Sequence, residues 1–502
     1  MSDEQKQESE SKGQNAKSDA AKADEKQETE KECPPPVVTD HEVTLYGRTL
    51  SYTVTTGLMP ILNDAGDKEA EIFFMAYTAT GASASNDRPL MFSFNGGPGS
   101  SSVWLHLGAL GPRRVRMLDD GALPPPPYKM EENPHTWLDQ TDLVFIDPVG
   151  TGFSRAIKAE EGKKFWNVKG DVESIGEFIR LYLTRYKRWN SPLFLVGESY
   201  GTTRAAGLSD VLIEKGIALN GIVLVSSVLN FQTLMFTAGN DLPYSLYLPS
   251  YAATAWYHHR LPTDLQESLP ATLAEVEEWA SSEYTVALAK GRTLTSDERD
   301  EVAARLERYT GLTRRFIEQC DLRIEIQRFC KELLRDVGRT VGRLDSRIES
   351  KHQPSHAETP DFDPSMTAIR PPYTAVFNHY VRRDLGYETD REYYILGGGI
   401  KSPWEWGNSP GHFDVSEALA KAFAKNPYMR LFVASGYYDL ATPYFATRYT
   451  ISHMNLAPDA IDNIRTADYE AGHMMYIHTE SLRKLKVDVA EFLHFALGTA
   501  GE

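Results

Sequence analysis

The motif GESYG at residues 197–201 constrains the fold of this chain more than any other feature of its sequence. A short apolar run at residues 192–196 predicts a buried strand before the motif, and residues 202–213 follow it with helical spacing and no proline. A serine on a sharp turn between a strand and a helix stands clear of the sheet, and the flanking glycines let the backbone pass without side-chain clashes. The same pattern also occurs in ordinary surface turns, but the strand and the helix around it favour a nucleophile elbow at Ser199.

The composition is that of a globular protein with an acidic surface. The chain has 502 residues, of which 41% are hydrophobic and 25% are charged, and its formal net charge is −17. Such a surface repels nucleic acids and anionic lipids, and no apolar run is long enough for a bilayer, so we expect neither nucleic-acid binding nor a membrane span. Three cysteines cannot form a disulfide framework. Cys320 and Cys330 are predicted to share one helix, roughly 15 Å apart along its axis.

Residues 1–36 differ from the rest of the chain. They are mainly Lys, Glu, Gln, Ser and Ala, with almost no large apolar side chain. Such a segment cannot bury enough surface to offset the entropy of ordering it, so we predict a disordered polar tail. The tail lacks the apolar stretch of a signal peptide, which predicts a cytoplasmic protein for the sequence as written. A secreted or periplasmic location is the alternative if the start is misassigned or a signal segment was removed.

Short apolar runs that alternate with helical segments predict an α/β fold. Residues 143–146, 193–196 and 222–225 are continuous apolar runs, typical of parallel strands that are covered on both faces. A helical segment spans residues 171–188 between the first two runs. This alternation indicates helices packed over a central sheet.

The change of pattern after Asn230 predicts an insertion in this fold. We assign residues 37–230 to the first part of the α/β core and residues 386–502 to the second part. Residues 231–385 between them are predicted to form a helical cap and a connector, the connector being the Pro- and His-rich stretch at residues 351–372. Such a cap is expected to cover the carboxyl ends of the strands, where the sites of α/β proteins lie.

The second part of the core offers partners for Ser199. A serine hydroxyl needs an imidazole to accept its proton, and the imidazole needs a carboxylate that fixes its tautomer. In α/β-hydrolase folds these groups follow in the order Ser, Asp or Glu, His, each on a loop after a strand. An apolar strand at residues 431–434 precedes Asp439, and His473 follows Gly472 ahead of the last predicted helix. Either residue alone is more often structural, but their order predicts a triad of Ser199, Asp439 and His473.

A glycine-rich loop, NGGPG at residues 95–99, follows another predicted strand at residues 89–94. A tetrahedral intermediate needs backbone N–H donors for its oxyanion. One donor is expected from the residue after the nucleophile, Tyr200, and the other from a loop after an earlier strand. A bare glycine loop is usually only a flexible turn, but together with the elbow it predicts an oxyanion hole formed by the amides of Gly97 and Tyr200.

Five motifs in this order resemble those of the serine carboxypeptidases. The resemblance covers about residues 38–497 and is weakest in the predicted cap. It implies an α/β-hydrolase fold, with a central and mostly parallel sheet, flanking helices and a mainly helical cap. It also implies that single residues are released from peptide C-termini through an acyl-enzyme. The motifs are NGGPGSSS at residues 95–102, DPVGTGFS at 147–154, GESYG at 197–201, SGYYD at 435–439 and AGH at 471–473.

The resemblance also implies residue roles. Ser199 is the nucleophile, His473 the base and Asp439 its orienting acid, while Gly97 and Tyr200 supply the oxyanion hole. The peptide's terminal carboxylate is held by Asn95, by the amide of Gly96 and by Glu198. Two carboxylates repel each other, so Glu198 can hold the peptide's terminal carboxylate only if one of these two carboxyl groups is protonated. This requires a raised pKa and favours acidic pH. A helix-start carboxylate, favoured by the helix dipole, is the rival interpretation of Glu198.

The chain departs from this family at two points. The family typically has a second glutamate two residues before a Gly-Pro pair, where it shares a proton with the first; here Gly111-Pro112 makes that position Ala109. We hypothesise that carboxylate recognition is weakened or rebuilt, with His106 or a cap residue as the substitute. Secreted members usually carry several disulfides, whereas Ser100 stands where a cysteine often sits, which indicates a bacterial-type or intracellular member.

The leading hypothesis is therefore a serine-type carboxypeptidase that acts on the C-terminal end of peptides. An esterase or acyltransferase is the alternative, because an acyl-enzyme can be resolved by water, an alcohol or an amine, and Ala109 favours it. A non-catalytic binding protein that retains the fold is a third possibility, which an intact triad argues against. The histidines outside the triad show no metal-ligand spacing with cysteines or acids, so we expect no metal, and nothing indicates a cofactor.

Overall fold

The computed structural model describes residues 34–81, 87–351, 356–407 and 411–498. Most of the predicted polar tail, residues 1–33, lies outside the described residues, and Cys33 lies there with it. Within the described ranges, no helix combines the length and the apolar character that crossing a membrane requires.

A mixed β-sheet forms the centre of the described structure. The strands in chain order are β1 (Val37–Leu45), β2 (Arg48–Leu62), β3 (Lys68–Ala79), β4 (Leu90–Phe94), β5 (Arg113–Val115), β6 (Met130–Glu132), β7 (Asp142–Ile146), β8 (Arg155–Ala156), β9 (Leu193–Ser199), β10 (Gly221–Ser227), β11 (Arg339–Val341), β12 (Glu349–Lys351), β13 (Arg430–Gly436) and β14 (Ile464–Tyr469). The central sheet has the order β1-β2-β3-β7-β4-β9-β10-β13-β14, and β8 pairs with β3. Strands β5 and β6, like β11 and β12, form separate two-stranded pairs.

The sheet is antiparallel at one end and parallel over the rest. The pairs β1–β2, β2–β3 and β3–β7 are antiparallel, beginning with a hairpin at Tyr46 and Gly47. From β7 through β4, β9, β10 and β13 to β14, every neighbouring pair is parallel. The predicted α/β fold with a mostly parallel core is therefore confirmed.

Side chains of the parallel strands alternate between two apolar cores, one on each face of the sheet. In β10, Val223 and Val225 belong to one core, whereas Ile222 and Leu224 belong to the other. Successive residues of a strand point to opposite faces, so a strand that is covered on both sides needs a continuous apolar run. This requirement explains why the short apolar runs of the sequence were sufficient to locate these strands.

Helices cover both faces of the sheet, and several more lie in the segment between β10 and β13. The helices between Leu242 and Glu332 pack around a third apolar core, which includes Tyr251 and Phe329. Leu440 belongs to this core as well, so these helices contact the loop that carries Asp439. The α-helices in the described residues are Val103–Leu105, Val168–Arg185, Tyr200–Glu214, Leu242–Tyr257, Leu269–Trp279, Thr285–Lys290, Ser296–Thr310, Arg314–Gln319, Ile326–Glu332, Pro364–Arg383, Ser416–Lys425, Tyr444–Ser452, Pro458–Ile461 and Thr479–Leu497.

The second half of the predicted Pro- and His-rich connector belongs to a long helix, Pro364–Arg383, so a connector over all of residues 351–372 was wrong. Pro371 and Pro372 lie inside this helix, although proline removes a backbone donor there. Beyond them, Phe377 and Tyr380 are buried in the core against the sheet. Burial of this apolar face outweighs the low helix propensity of the prolines.

Cys320 and Cys330 do not share one helix, which corrects the prediction for them. Cys320 ends the helix Arg314–Gln319, and Cys330 lies in the next helix, Ile326–Glu332. Asp321 and Leu322 between them have positive φ angles of 53° and 63°, a conformation that ends a right-handed helix. Both cysteines are buried free thiols.

Candidate active site

The predicted site residues meet at the edge of the sheet where the parallel strands have their carboxyl ends. Asn95 directly follows β4, Ser199 ends β9, Asp439 lies three residues after β13, and His473 lies four residues after β14. Ligands of open α/β sheets bind at this edge.

Ser199 occupies a strained turn between β9 and the helix Tyr200–Glu214. Its φ angle is +60° and its ψ angle is −131°, a backbone conformation that residues other than glycine rarely adopt. The glycines of the motif are required by close backbone contacts. A Cβ on Gly197 would lie 2.2 Å from the carbonyl oxygen of Gly201, and a Cβ on Gly201 would lie 2.8 Å from that of Phe94. The turn thus has the geometry of a nucleophile elbow.

His473 and Asp439 form a buried hydrogen-bonded pair. Nδ1 of His473 lies 2.7 Å from Oδ2 of Asp439, and the carboxylate accepts, so Nδ1 carries the proton. The amides of Ala441 and Thr442 donate to Asp439 Oδ1 at 2.7 and 3.0 Å, and the Thr442 hydroxyl donates to Oδ2 at 2.7 Å. These bonds fix the carboxylate toward the imidazole and leave Nε2 of His473 as the proton acceptor.

The backbone of His473 is anchored on both sides. Its amide donates to the carbonyl of Leu344 at 2.6 Å, and its carbonyl accepts from the Ser226 hydroxyl at 2.6 Å. Burial lowers the pKa of His473, but the charge and hydrogen bond of Asp439 outweigh this effect and raise the pKa above its ordinary value. The imidazole is thus poised to hold a proton during a reaction.

The loop after β4 lies directly against the elbow. A Cβ on Gly96 would stand only 2.4 Å from the Tyr200 nitrogen, so no larger residue fits there without a shift of the backbone. Gly97 has a φ angle of +102°, which favours glycine. The two predicted oxyanion donors, the amides of Gly97 and Tyr200, therefore belong to backbone segments in contact.

A buried ion pair, which the sequence analysis missed, supports this contact. Arg204 donates through Nη1 to the carbonyl of Asn95 at 2.7 Å and through Nε to Asp171 at 2.8 Å. The Tyr200 hydroxyl donates to the same Asp171 oxygen at 3.0 Å. All three side chains are buried, so the glycine loop and the residue after the nucleophile are fixed to one network.

A cavity of about 140 Å³ lies over these residues. Glu198 lines it and is almost wholly buried, and burial raises its pKa to about 7. Asn95 also lines it, and its side-chain amide lies next to Glu198, whose pKa it lowers by a hydrogen bond. An amide donor and a carboxyl that holds a proton up to neutral pH together fit an incoming anionic oxygen. The polar residues and glycines on its wall include Asn95, Gly96, Glu198, Ser199, Arg343 and His473.

Tyr476 is the main site residue that sequence reasoning missed. Its hydroxyl donates to Oε2 of Glu198 at 2.5 Å, and both side chains are buried. Its ring lies over Gly108, where a Cβ would come within 2.4 Å of Tyr476 Cε2. The tyrosine therefore packs beside Ala109, the position at which the family's second glutamate is missing. The one hint in the sequence was that Tyr476 follows the predicted base, His473, by only three residues.

His106 does not take the place of the missing glutamate, so that part of the hypothesis is wrong. His106 Nε2 lies 2.6 Å from the hydroxyl of Tyr77, and Nδ1 has no partner among the described residues. Burial lowers its pKa to about 3, so the ring is neutral. Ala109 is fully buried in the same short helical turn, His106–Leu110.

Comparisons with known proteins agree with this geometry. The sequence pattern of a family described as serine carboxypeptidase matches residues 48–490. Serine carboxypeptidase-like 36 of Arabidopsis thaliana is 30% identical over 172 residues, which are 33% of this chain and 34% of that protein. Pheromone-processing carboxypeptidase KEX1 of Saccharomyces cerevisiae is 34% identical over 155 residues, 29% of this chain and 20% of that protein. The chain thus aligns with about a third or less of the length of these curated relatives.

The fold is similar to that of a solved carboxypeptidase. The crystal structure of KEX1(delta)p, a prohormone-processing carboxypeptidase from Saccharomyces cerevisiae, superimposes with a TM-score of 0.53 at 17% sequence identity. The superposition covers 88% of this chain and 91% of that chain. At this identity, the likeness concerns the fold, and it agrees with the predicted α/β-hydrolase architecture.

Proposed function

Because the chain belongs to the serine carboxypeptidase family, we propose that it releases the last residue of a peptide through an acyl-enzyme on Ser199. The main support is the 2.7 Å hydrogen bond between His473 and Asp439, beside a cavity that Ser199, His473 and Glu198 line together. A chain that had kept only the fold would not need a buried carboxylate oriented toward an imidazole at this position.

The proposed reaction follows from these groups. Nε2 of His473 accepts the Ser199 proton while the serine oxygen attacks the carbonyl carbon of the last peptide bond. The amides of Gly97 and Tyr200 donate to the oxyanion, and Asp439 stabilises the imidazolium. His473 then protonates the leaving amine, which breaks the peptide bond and leaves the acyl group on Ser199. Water, deprotonated by His473, hydrolyses this ester and restores the hydroxyl.

Glu198, Asn95 and the amide of Gly96 are the proposed readers of the terminal carboxylate. Glu198 can face that carboxylate only while it is protonated, and its pKa of about 7 keeps it so in acidic to neutral solution. Asn95 supplies a buried side-chain amide donor beside Glu198 on the wall of the cavity. Tyr476 orients the Glu198 carboxyl through its 2.5 Å hydrogen bond. In the family pattern, the second glutamate is the residue that makes a hydrogen bond to this carboxyl.

The test compares three substrates between pH 4 and pH 8: an N-blocked dipeptide, its C-terminal amide and the matching ester, with Ser199→Ala as the control. Release of the terminal residue from the acid but not from the amide, abolished in S199A, is the expected result. Amide and acid cleaved at equal rates would contradict carboxylate reading, and full activity of S199A would contradict the nucleophile.

The second candidate is an esterase or acyltransferase that uses the same triad, and Ala109 is the observation that favours it. Without the second carboxyl, preference for a free C-terminus can be lost while the acyl-enzyme chemistry is retained. Turnover of the ester alone, with transfer of the acyl group to added alcohols or amines, would establish this candidate.

We propose four further properties that follow from the sequence. The protein acts in the cytoplasm, it is a bacterial-type member of the family, and it does not bind nucleic acid, as its net charge of −17 favours.

The helical segment at residues 231–385 is a cap inserted between core parts at residues 37–230 and 386–502. Limited proteolysis tests this division, because cleavage is expected first at the borders of the cap.

A further inference from the structure

Arg343 is a cation on the wall of the cavity that has no obvious structural task. It lines the cavity together with Ser199 and His473, and its side chain is half-buried. Within the described ranges, its guanidinium makes neither a hydrogen bond nor an ion pair with another side chain. No carboxylate of the described protein therefore neutralises this guanidinium, although it lines the cavity that the triad residues share.

Arg347 in the same loop shows the contrast. It is buried and donates to both carboxylate oxygens of Asp345, at 3.0 and 2.6 Å. Its charge is thus neutralised within the protein, as expected for a structural arginine. Arg343, four residues earlier, has no such carboxylate partner in the described structure and lines the cavity instead.

The backbone around Arg343 is fixed to the reacting groups. Its amide donates to Asp363 Oδ1 at 3.1 Å, and its carbonyl accepts from the amide of Leu440, next to Asp439, at 3.0 Å. The carbonyl of the next residue, Leu344, accepts from the His473 amide. Arg343 therefore stands on a rigid loop beside the imidazole rather than on a mobile arm.

The position beside His473 indicates which substrate group Arg343 can meet. His473 protonates the leaving amine, so the released residue lies between this imidazole and the carboxylate readers Glu198 and Asn95. No ion pair joins Arg343 to Glu198 in the described structure, which leaves the guanidinium free for another anion. Apolar Leu344 and Ile369 also line this cavity, so an ion pair formed there by a substrate side chain would be partly shielded from water.

We infer that Arg343 binds an acidic side chain on the released residue, so that peptides ending in Glu or Asp are preferred substrates. This inference rests on the proposed carboxypeptidase function. A planar guanidinium suits a carboxylate because two parallel N–H donors can meet its two oxygens.

The test uses N-blocked Phe-Glu and Phe-Gln, which differ in charge but hardly in shape, together with Phe-Leu. We expect kcat/KM for Phe-Glu to exceed that for Phe-Gln by about tenfold, as for one charge-assisted hydrogen-bonded pair. Arg343→Gln removes this preference, and Arg343→Lys retains part of it. Arg339→Gln is the matched control, because it removes the same charge from an exposed position near the same loop, where Arg339 pairs with Glu349. It leaves the preference unchanged.

Binding to S199A separates the inference from the proposed function, because it requires no turnover. Tighter binding of Phe-Glu than of Phe-Gln to S199A, lost in the S199A/R343Q double variant, supports the inference even if no peptide is cleaved. Cleavage of Phe-Leu by the wild type, abolished in S199A, reports on the proposed function alone.

Three results would overturn the inference. The first is an equal Glu/Gln ratio in the wild type, and the second is a ratio that R343Q leaves unchanged. The third is a preference for N-blocked Glu-Phe over Gln-Phe that R343Q removes, with no preference for Phe-Glu, which would place the acidic side chain on the residue before the scissile bond. A uniform loss of all three peptides in R343Q, without loss of the ester, would instead make Arg343 a reader of the terminal carboxylate.

Discussion

Replacement of Tyr476 by Phe tests the most specific feature of this site, the hydrogen bond to Glu198. The substitution removes one hydroxyl from a fully buried ring, so the packing over Gly108 is kept and only the 2.5 Å bond is lost. That bond stabilises the ionised form of Glu198, whereas burial, the larger effect, favours the protonated form and raises the pKa to about 7. Without the bond, the pKa of Glu198 rises further.

The magnitude follows from the bond that is removed. A hydrogen bond to a charged group contributes about 1.5–3 kcal/mol, and 1.36 kcal/mol corresponds to a tenfold change in a proton affinity. The pH at which Glu198 loses its proton therefore rises by about one to two pH units in Y476F. Since Glu198 must be protonated to face the terminal carboxylate, KM for a peptide rises above about pH 7 in the wild type, and only at a correspondingly higher pH in Y476F.

The assay is the pH dependence of KM for the blocked dipeptide, with the matching ester as an internal reference. The ester has no terminal carboxylate, so its KM should not follow Glu198. Tyr373→Phe is the matched control: Tyr373 is another buried tyrosine beside Gly108, and no hydrogen bond joins it to Glu198 in the described structure. A profile that Y476F leaves unchanged, or moves to lower pH, would refute the reasoning.

Three further predictions concern residues of the same site. Glu198→Gln removes a carboxyl whose pKa is raised from 4.5 to about 7. Such a group destabilises the folded state increasingly as the pH rises between these two values. Urea unfolding should therefore show that the free energy of unfolding of E198Q, relative to that of the wild type, increases by up to about 3 kcal/mol between pH 4 and pH 8. Asp439→Asn disturbs the tautomer of His473 and should lower kcat by about ten-thousand-fold with little change in KM, as steady-state kinetics would reveal. Gly96→Ala places a Cβ 2.4 Å from the Tyr200 nitrogen and should cost about 1–3 kcal/mol of stability, measured by denaturant unfolding; an unchanged midpoint would contradict the close contact.

Much of the fold could be predicted because its strands are covered on both faces. The apolar runs that became β7, β9 and β10 need no knowledge of distant residues. The edge strand β14, Ile464–Tyr469, was missed because only its last residue is buried and its sequence, IRTADY, has few apolar positions. The helix Pro364–Arg383 was missed because its prolines oppose a helix locally, while its stability comes from distant contacts.

The site shows the same division between local and distant information. The elbow at Ser199 is local, since the turn, the glycines and the flanking strand and helix lie within about twenty residues. The triad partners were found from their order along the chain. Tyr476 and Arg343 are different, because their importance depends on how the short helical turn Met475–Ile477 and the loop after β11 meet Glu198 and His473 in space. The closeness of Tyr476 to His473 along the chain does not reveal its contact with Glu198, and nothing near Arg343 in the sequence marks its place in the cavity.

The pairing of Glu198 with a phenol has a consequence that a pair of glutamates lacks. Two carboxyls that share one proton repel each other once that proton leaves, so such a pair works best in acid. Burial and the neighbouring Glu198 charge raise the pKa of Tyr476 well above 10, so the phenol keeps its proton throughout the physiological range. Only Glu198 then titrates, and it does so near neutral pH. His473, whose pKa is raised by the charge and hydrogen bond of Asp439, must in turn lose its proton to act as a base. The proposed peptide cleavage should therefore weaken above about pH 7, where Glu198 loses its proton, whereas ester cleavage, which needs only a deprotonated His473, continues to higher pH.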